Sequence, residues 1–244
     1  MDTSKLRADT RTVWEKLDGH PLLKGFVLIG GTALTLRIGH RVSEDLDFAY
    51  ASPGHLPRTR LGLFVQSLLD RGVELRPNQS PLAEEDFLDA GLDLADYQQD
   101  FLANGSVKVS FVAPDSPARS VIAGEAALPM RVATLDEIFA LKSLVCAERS
   151  KTRDWFDLYV LMTQHGLSIV DFYNVFARLS VIPKFENARI RLLACRPDPA
   201  DEGYEQLLID APSLDSMRAF FQTQFDELEV RLAKQAFSDR ATDE

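Results

Sequence analysis

The stretch "LIGGTALTLRIGHRVSEDLDFAY", residues 28–50, decides the fold of this chain. It opens with a glycine pair behind an apolar run and closes with two aspartates one residue apart. "FVLI", Phe26–Ile29, is short, apolar and rich in β-formers, which predicts a buried strand. The glycines lead into helix formers, and "DLDFAY" returns to a strand-like composition. We therefore predict a strand, a glycine turn, a helix and a second strand carrying both carboxylates.

The spacing of Asp45 and Asp47 predicts that their side chains share one face of the second strand. Residues i and i+2 of a strand point the same way, so Leu46 and Phe48 would enter the core instead. Two adjacent carboxylates repel each other unless a cation lies between them. Oxygen ligands at this spacing suit Mg²⁺ or Mn²⁺, which keep positions free for phosphates and water. Taken alone, such a pair is more often a solvated strand edge or a helix cap.

The glycine pair provides a matching site for phosphate. Gly30 and Gly31 lack a Cβ, so their backbone can approach a phosphate closely, and the helix that follows offers free N–H groups. Thr32 can add a hydroxyl, and Arg41 can hold the loop or meet a phosphate. A double glycine alone is usually only a turn, but one geometry explains a phosphate cradle beside a pair of metal-binding carboxylates.

Composition narrows the class of protein. Hydrophobic residues make up 45% and charged residues 26% of the 244, as in ordinary globular proteins, and no apolar run approaches the roughly 20 residues of a membrane helix. The polar, amphipathic N-terminal segment does not resemble a signal peptide. Cys146 and Cys195 lie in apolar, helix-like contexts and are expected to be reduced thiols in a cytoplasmic protein.

Net charge argues against one broad class of function. The chain carries a formal charge of −10 and a pI of about 4.9, whereas proteins that coat nucleic acid by charge are usually basic. Any contact with nucleic acid would therefore use a local patch. The candidate patches lie around three groups of cations: Arg58/Arg60, Arg149–Arg153 and Arg189/Arg191.

Two regions differ in their patterns. Residues 1–130 mix helices with strands at 26–29, 45–50, 73–77 and 106–113, whereas residues 78–105 are acidic and predict a loop with short helices. From Thr134, which forms a capping-box pattern with Glu137, the sequence is almost wholly helical. We predict an α/β domain at 1–130 and a helical domain at 131–244 that completes an active-site cleft.

Two motifs resemble those of a known family. A glycine pair, thirteen residues and then "DLDF" resembles the signature of the nucleotidyltransferase (polymerase-β-like) superfamily. The wider string "LIGGTAL…HRVSEDLDF" is closer to the AbiEii/AbiGii toxin group, which includes the MenT-like toxins. A second block, "LDEIFALKSLVCAERSKTRDWFDLYVLM" at residues 135–162, is similar to the group's downstream motif, a lysine on a helix followed by an R-x-K-x-R-D-x-x-D-L segment.

The resemblance implies an α+β nucleotidyltransferase fold, with a mixed sheet flanked by helices and a C-terminal helical bundle. It implies a Mg²⁺-dependent (or Mn²⁺-dependent) enzyme that moves NMP from an NTP to an acceptor hydroxyl, with tRNA or another RNA as acceptor. Such an enzyme would be the toxin of a toxin–antitoxin or abortive-infection system, with a cognate antitoxin protein and no membrane association. The implied residues are Asp45 and Asp47 for the metal, Gly30, Gly31, Thr32 and Arg41 for the triphosphate, Lys142 for its phosphates, and Asp154 near the nucleotide or metal.

The second block also has readings that need no family. Lys142 lies in an apolar helix and could extend its amine past the core to water. Asp154 could cap the next helix, whose first turn favours acids. Asp157 could pair with Arg153 or Arg149, and the cations of "ERSKTRD" could be a solvated helix–helix turn.

One departure from the superfamily concerns a third carboxylate, which many nucleotidyltransferases carry on a later strand to activate the attacking hydroxyl. The candidate strand "SVKVSFVAPD" offers no acid in either register, and Asp115 lies just beyond it. Asp154 is one candidate for the missing group. Two other functions therefore stay open, an aminoglycoside-type enzyme with a small-molecule acceptor and a nucleotide-binding or interaction module without catalysis.

Overall fold

The computed structural model describes residues 1–122, 124, 127–208 and 211–242. For residues 239–242 it describes the backbone only. It divides into two compact units, Met1–Ile138 and Phe139–Glu244. The first unit contains a mixed sheet with helices and the second is helical, so the predicted α+β class is confirmed. Among the described residues, no helix has both the length and the apolar character needed to cross a membrane.

The described residues of the first unit form six strands and five complete helices. The strands are β1 (Phe26–Ile29), β2 (Leu46–Tyr50), β3 (Leu75–Pro77), β4 (Gln98–Ala103), β5 (Val107–Val112) and β6 (Arg131–Val132). The helices are α1 (Ala8–Leu17), α2 (Gly30–Ile38), α3 (Arg58–Leu69), α4 (Pro81–Asp89) and α5 (Ser116–Val121), with short 3₁₀ turns at Pro21–Leu23 and Leu94–Asp96. A further helix, α6 (Leu135–Cys146), begins in this unit and continues into the next.

The six strands form one sheet in the order β3-β4-β5-β2-β1-β6. β1 is antiparallel to β2, β2 is parallel to β5, and β5 is antiparallel to β4. Asp47 on β2 pairs with Ile29 on one side and with Ser110 on the other, and Ser110 in turn pairs with Asp100 on β4. Since paired residues share a face, the three polar residues form one row across three strands.

The opposite face of the sheet carries the apolar core of this unit. Phe48 and Phe111 stack with ring centroids 5.3 Å apart, and Phe64 of α3 meets Phe111 edge-on at 5.7 Å. All three rings are fully buried, as are Phe26 and Leu28 on β1. This packing holds the strands in register because a slip of one residue would move every ring to the polar face.

Most predicted elements of the first unit are observed, with one strand missed. β1 has the predicted bounds, and the Thr134–Glu137 capping box is present, with N···O distances of 2.7 and 3.2 Å. The prediction of a loop with short helices for residues 78–105 was wrong at Gln98–Ala103, which forms β4. "QQDFLA" begins with residues that disfavour strands, and its pairing with both β3 and β5 overrides that preference.

In the second unit, the part of the chain that the structure describes adds four α-helices to the end of α6. They are α7 (Thr152–Gln164), α8 (Ile169–Arg178), α9 (Ile182–Ala194) and α10 (Leu214–Thr242), each at a position where the sequence predicts one. Its core is aromatic, and Phe172 lies within 6.5 Å, between ring centroids, of four other phenylalanines. These are Phe139, Phe176, Phe185 and Phe225.

A buried histidine joins the first 3₁₀ turn to α3. Nδ1 of His20 accepts from the backbone N–H of Leu22 at 3.3 Å, and Nε2 lies 3.1 Å from the hydroxyl of Ser67. Because that hydroxyl donates to the Phe64 carbonyl, Nε2 carries the proton and the ring is neutral. Burial lowers the pKa of His20, and the charge of Arg71 lowers it further.

The lowered pKa of His20 predicts acid sensitivity. The unfolded chain binds a proton at His20 near pH 6.5, where the folded chain does not, so the free energy of unfolding should fall as the pH drops below that value. The slope from this group should not exceed about 1.4 kcal/mol per pH unit. Urea unfolding between pH 7.5 and 5.5 checks this. His20→Asn, which keeps a capping oxygen, should flatten the profile, and the exposed control His165→Asn should not. Equal slopes for all three proteins would contradict the assignment.

Candidate active site

The glycine turn lies directly against one of the two aspartates. α2 begins at Gly30, whose φ of +73° lies in the left-handed region that favours glycine. A Cβ at this position would lie 2.9 Å from Oδ2 of Asp47. The turn therefore needs a glycine for its backbone angle and also for the space that the carboxylate occupies.

A buried guanidinium lies against the second glycine. A Cβ on Gly31 would lie 2.5 Å from Nη2 of Arg41, and the arginine is only 5% exposed. Nη1 of Arg41 donates to the carbonyl of Val42 at 3.0 Å. Residues 30, 31, 41 and 47, which the sequence predicts to act together, thus lie in contact in the first unit.

The loop before β2 is tied to α2 by hydroxyl groups. Oγ1 of Thr32 donates to the backbone carbonyl of Asp45 and lies 2.8 Å from Oγ of Ser43. Thr32 and Ser43 are both buried. The hydroxyl of Thr32 thus stabilises the position of the carboxylate pair, and its contact with phosphate stays a prediction.

The second strand begins one residue later than predicted, so β2 carries Asp47 but not Asp45. Asp45 is exposed just before β2 and Asp47 is half-buried within it, whereas Leu46 and Phe48 are fully buried, as predicted. Two carboxylates of this kind are hard oxygen donors, which is the donor type that Mg²⁺ prefers. In the described residues there is no group of three or more His, Cys, Asp and Glu that could hold a metal. Two protein ligands fit a Mg²⁺ ion that takes its remaining ligands from phosphate and water.

The second predicted group of residues forms a buried ionic cluster in the helical unit. Nζ of Lys142 lies 2.5 Å from Oδ1 of Asp154 and 2.8 Å from Oδ2 of Asp157. Nε of Arg149 donates to the other oxygen of Asp154 at 2.9 Å. The side chain of Lys142 is 8% exposed, so it does not extend to water as the alternative reading held.

Asp157 pairs with Lys142 because it lies one turn after Asp154 on the same face of α7. Arg153 pairs with Glu202 at 3.0 Å and donates to the carbonyl of Gly203 at 2.9 Å.

The electrostatic balance of the cluster favours the ionised form of Asp154. Burial raises the pKa of Asp154, but the charges of Lys142 and Arg149 outweigh it, and the net effect is a lowered pKa. The neighbouring thiol behaves in the opposite way, since burial raises the pKa of Cys146. Cys146 and Cys195 are both free, as the sequence predicts.

The connection between α9 and α10 holds the start of α7, next to this cluster. The carboxylate of Asp198 accepts from the N–H of Ser150 at 2.9 Å. The carboxylate of Asp201 accepts from the N–H and the hydroxyl of Thr152, at 3.2 and 2.5 Å. Nothing in the local sequence predicts these bonds, because the partners are 48 and 49 residues apart.

Sequence reasoning missed a third carboxylate on the sheet. Asp100 is 7% exposed, and its Oδ2 accepts from Nε2 of Gln98 at 2.7 Å. Its Oδ1 is buried and has no hydrogen-bond partner within the described part of the chain. The acid was sought on β5, where Ser110 stands in the row, and β4 lay in the region predicted as a loop.

The cationic patches suggested for an RNA acceptor are largely paired with acids. Arg58 lies 2.6 Å from Asp93 and 3.2 Å from Asp96. Arg189 is bound to Glu229 on α10. These pairs explain how an acidic chain carries arginine groups without a broad positive surface.

Removing Lys142 should strongly destabilise the protein. Lys142→Met would remove the cation that the buried carboxylates of Asp154 and Asp157 share, which should cost about 3–5 kcal/mol in the free energy of unfolding. Lys184→Met, which removes a more exposed lysine from Glu148, should cost no more than about 1 kcal/mol. Urea unfolding of both variants measures the difference, and equal losses would contradict the buried pairing.

Comparisons with known proteins show the family and the fold of this chain. The family model described as nucleotidyl transferase AbiEii toxin, Type IV TA system, matches residues 13–240. An uncharacterized protein of Aquifex aeolicus (strain VF5) is 26% identical over 228 residues, covering 91% of this chain and 97% of that protein.

Two solved structures share the fold at low sequence identity. One is an H. pylori protein assigned as a nucleotidyltransferase, with a TM-score of 0.52, 17% identity and coverage of 94% of this chain and 98% of that one. The other is the nucleotidyltransferase toxin MenT4 of Mycobacterium tuberculosis H37Rv, with a TM-score of 0.52, 16% identity and coverage of 90% and 84%. Because the family model spans nearly the whole chain, this protein belongs to the AbiEii family of nucleotidyltransferase toxins.

Proposed function

We propose that this nucleotidyltransferase uses Mg²⁺ and an NTP to transfer NMP to a hydroxyl of RNA, with tRNA as the acceptor. The observation that carries the proposal is the contact between the glycine turn and the carboxylate pair, where a Cβ on Gly30 would lie 2.9 Å from Asp47 Oδ2. This contact brings a place for phosphate and a place for a divalent ion within reach of one bound nucleotide.

The carboxylate pair would hold the metal. Asp45 is exposed just before β2 and Asp47 is half-buried within it, so both residues are accessible to solvent. When bound, Mg²⁺ would neutralise charge on the triphosphate and favour attack on its α-phosphate. Asp47 is the more rigidly held of the two, since it lies within β2 between β1 and β5. Mn²⁺ is an alternative ion for the same oxygen donors.

The glycine turn would hold the triphosphate. The first N–H groups of α2, at Gly30, Gly31 and Thr32, lie at the positive end of the helix dipole. Arg41 is buried against Gly31 and adds a fixed positive charge behind the turn. A Cβ at Gly30 would displace the carboxylate of Asp47, and a Cβ at Gly31 would displace the guanidinium of Arg41. The proposed phosphate site therefore needs glycine at both positions.

The proposal that tRNA is the acceptor rests on the membership of this chain in a family of toxins. A toxin that adds nucleotides to tRNA would stop translation, and its host would need an antitoxin to restrain it, both in the cytoplasm. Lys108 supports an anionic acceptor, because it is exposed two residues before Ser110 and so lies on the sheet face of Asp47. The roles of Lys142 and Asp154 with the nucleotide stay predictions.

Nucleotidyl transfer to a small cationic molecule is the second candidate function. A cavity of about 760 Å³ in the first unit lies between α3, α4 and the β3–β4 edge. Its lining includes Glu84 and the ion pair between Arg58 and Asp93. A cavity of this size has room for a small-molecule acceptor, as in an aminoglycoside-type enzyme.

Neutralising either metal-binding carboxylate should abolish transfer. Asp45→Asn and Asp47→Asn should each lower NMP transfer at least about 10³-fold, because the ion loses half of its protein charge. The assay supplies Mg²⁺, α-labelled NTPs and total tRNA, and it measures label in RNA. Asp70→Asn, an exposed acid at the end of α3, is the matched control and should retain full activity.

The same assay separates the acceptors. A parallel reaction with a panel of aminoglycosides in place of tRNA tests the second candidate. Label in the aminoglycosides alone would replace the RNA proposal with the small-molecule one. Transfer to RNA that persists in both Asp45→Asn and Asp47→Asn would show that the paired carboxylates are not the metal site.

A further inference from the structure

We infer that Thr10 is a positioning residue for Asp45, and this inference rests on the proposed function, in which Asp45 binds the metal. Thr10 lies in the first turn of α1, outside both sequence motifs, and the matching family model begins after it, at residue 13. Its hydroxyl donates to the backbone carbonyl of Glu44 at 2.8 Å, across 34 residues of sequence. The assignment comes from that bond and from the main-chain geometry that it controls.

The sheet does not hold the main chain of Asp45. β2 begins at Leu46, where its ladder to β5 also begins, and its ladder to β1 begins only at Asp47. A Mg²⁺ site needs its ligands in fixed places, because the ion demands near-ideal octahedral geometry with oxygens at about 2.0–2.1 Å. Groups outside the sheet must therefore fix the direction of the Asp45 carboxylate.

Two threonine hydroxyls bind the two peptide groups that flank Asp45. Thr10 donates to the carbonyl of Glu44, which belongs to the peptide group before the Cα of Asp45. Thr32 donates to the carbonyl of Asp45, which belongs to the peptide group after that Cα. Each peptide group is planar, so φ and ψ of Asp45 are the soft rotations between the two planes. Holding both planes therefore fixes both angles, and with them the direction in which the side chain of Asp45 leaves the main chain.

Both hydroxyls form their bonds in places where water competes little. Thr10 and Thr32 are each only 1% exposed. A hydrogen bond is electrostatically stronger inside a protein than in water, and loss of a buried partner costs more than loss of an exposed one. The two bonds should therefore persist while the exposed side chain of Asp45 exchanges water for metal.

The direction of the Thr10 hydroxyl differs from that of a threonine bonded within its own helix. Thr12, two residues later, donates to the carbonyl of Ala8 at 3.0 Å within α1, as helical threonines commonly do. Thr10 instead bonds the separate loop before β2. A parallel β-bridge between Leu6 and Ser43 joins the same loop to the segment before α1, and both of these residues are buried. The start of α1 is thus fixed against the loop that carries the metal ligand.

Loss of the Thr10 hydroxyl should weaken metal binding and leave nucleotide binding without metal unchanged. The proposed phosphate site is formed by the glycine turn of α2 and by Arg41, neither of which contacts Thr10 in a bond described above. Replacing a residue that orients a metal ligand typically lowers metal affinity about 10–100-fold. Thr10 acts on one of two protein ligands and through the main chain, so we expect the lower end of that range, about tenfold.

The test compares Thr10→Val, Thr10→Ser and Thr12→Val with the wild type and with Asp45→Asn. Valine has the shape of threonine without its hydroxyl, and serine keeps the hydroxyl. Thr12→Val makes the same substitution at an exposed position of the same helix. Mn²⁺ is titrated into the full chain with an α,β-methylene analogue of each NTP in turn, and electron paramagnetic resonance measures the free ion. A second titration measures binding of the analogue without metal, and urea unfolding measures stability.

We expect Thr10→Val to raise the Kd for Mn²⁺ about tenfold, with Thr10→Ser and Thr12→Val within about threefold of the wild type. Binding of the analogue without metal should be the same in all four proteins that keep Asp45. In the transfer assay, Thr10→Val should need a higher Mg²⁺ concentration for half-maximal activity, and its kcat at saturating Mg²⁺ should approach that of the wild type. A merely structural role would not produce this recovery with added ion.

A wild-type Kd for Mn²⁺ in Thr10→Val would overturn the inference. So would an equal loss of Mn²⁺ binding in Thr12→Val or in Thr10→Ser, or a loss in Thr10→Val that accompanies unfolding in the absence of urea. If Asp45→Asn weakens Mn²⁺ binding and Thr10→Val does not, the proposed metal site stands and only this inference fails. If the wild type and Asp45→Asn do not differ in Mn²⁺ binding, the proposed metal site and this inference fail together.

Discussion

The contact between Asp47 and the glycine turn is the constraint on which the candidate site depends. It exists because β1 and β2 are antiparallel, with Ile29 directly opposite Asp47. That register carries the carboxylate to the first residue of α2, where only glycine has both the positive φ and the space. The register in turn depends on the rings of Phe26, Phe48 and Phe111 on the other face of the sheet. The apolar core thus determines the geometry of the polar face.

The buried carboxylates of the two units have different kinds of partner. In the helical unit, Asp154 has Lys142 and Arg149 as partners, and the pKa of that carboxyl is lowered overall despite its burial. Such a cluster stabilises one arrangement of α6 and α7 and is costly to break. On the sheet, Asp100 has an amide donor and no cation partner among the described residues. The first arrangement holds its acid by charge, and the second holds it by a neutral hydrogen bond.

Sequence patterns predicted much of this structure where the signals are local. The strand–turn–helix–strand order, the capping box at Thr134 and the four later helices follow from spacing, glycine placement and apolar periodicity. The pairing of Lys142 with two acids and the position of Asp100 were not predictable in the same way. Both depend on contacts between separate elements, and β4 has a composition that favours a loop until two neighbouring strands pair with it. Asp100 therefore went unnoticed, because an acid was sought on β5 and Asp100 lies on the neighbouring strand β4.

The bonds that Asp198 and Asp201 make to Ser150 and Thr152 have a consequence for the newly made chain. The donors precede their acceptors by 48 and 49 residues, so the N–H groups at the start of α7 lack these partners until the segment after α9 has been synthesised. Arg149 and Asp154 flank those donors, and their geometry is completed only then. A fragment released from the ribosome before that point would contain the glycine turn and both sheet aspartates but would lack this clamp. Such a fragment would leave the N–H groups of Ser150 and Thr152 without the carboxylates that accept from them in the full chain.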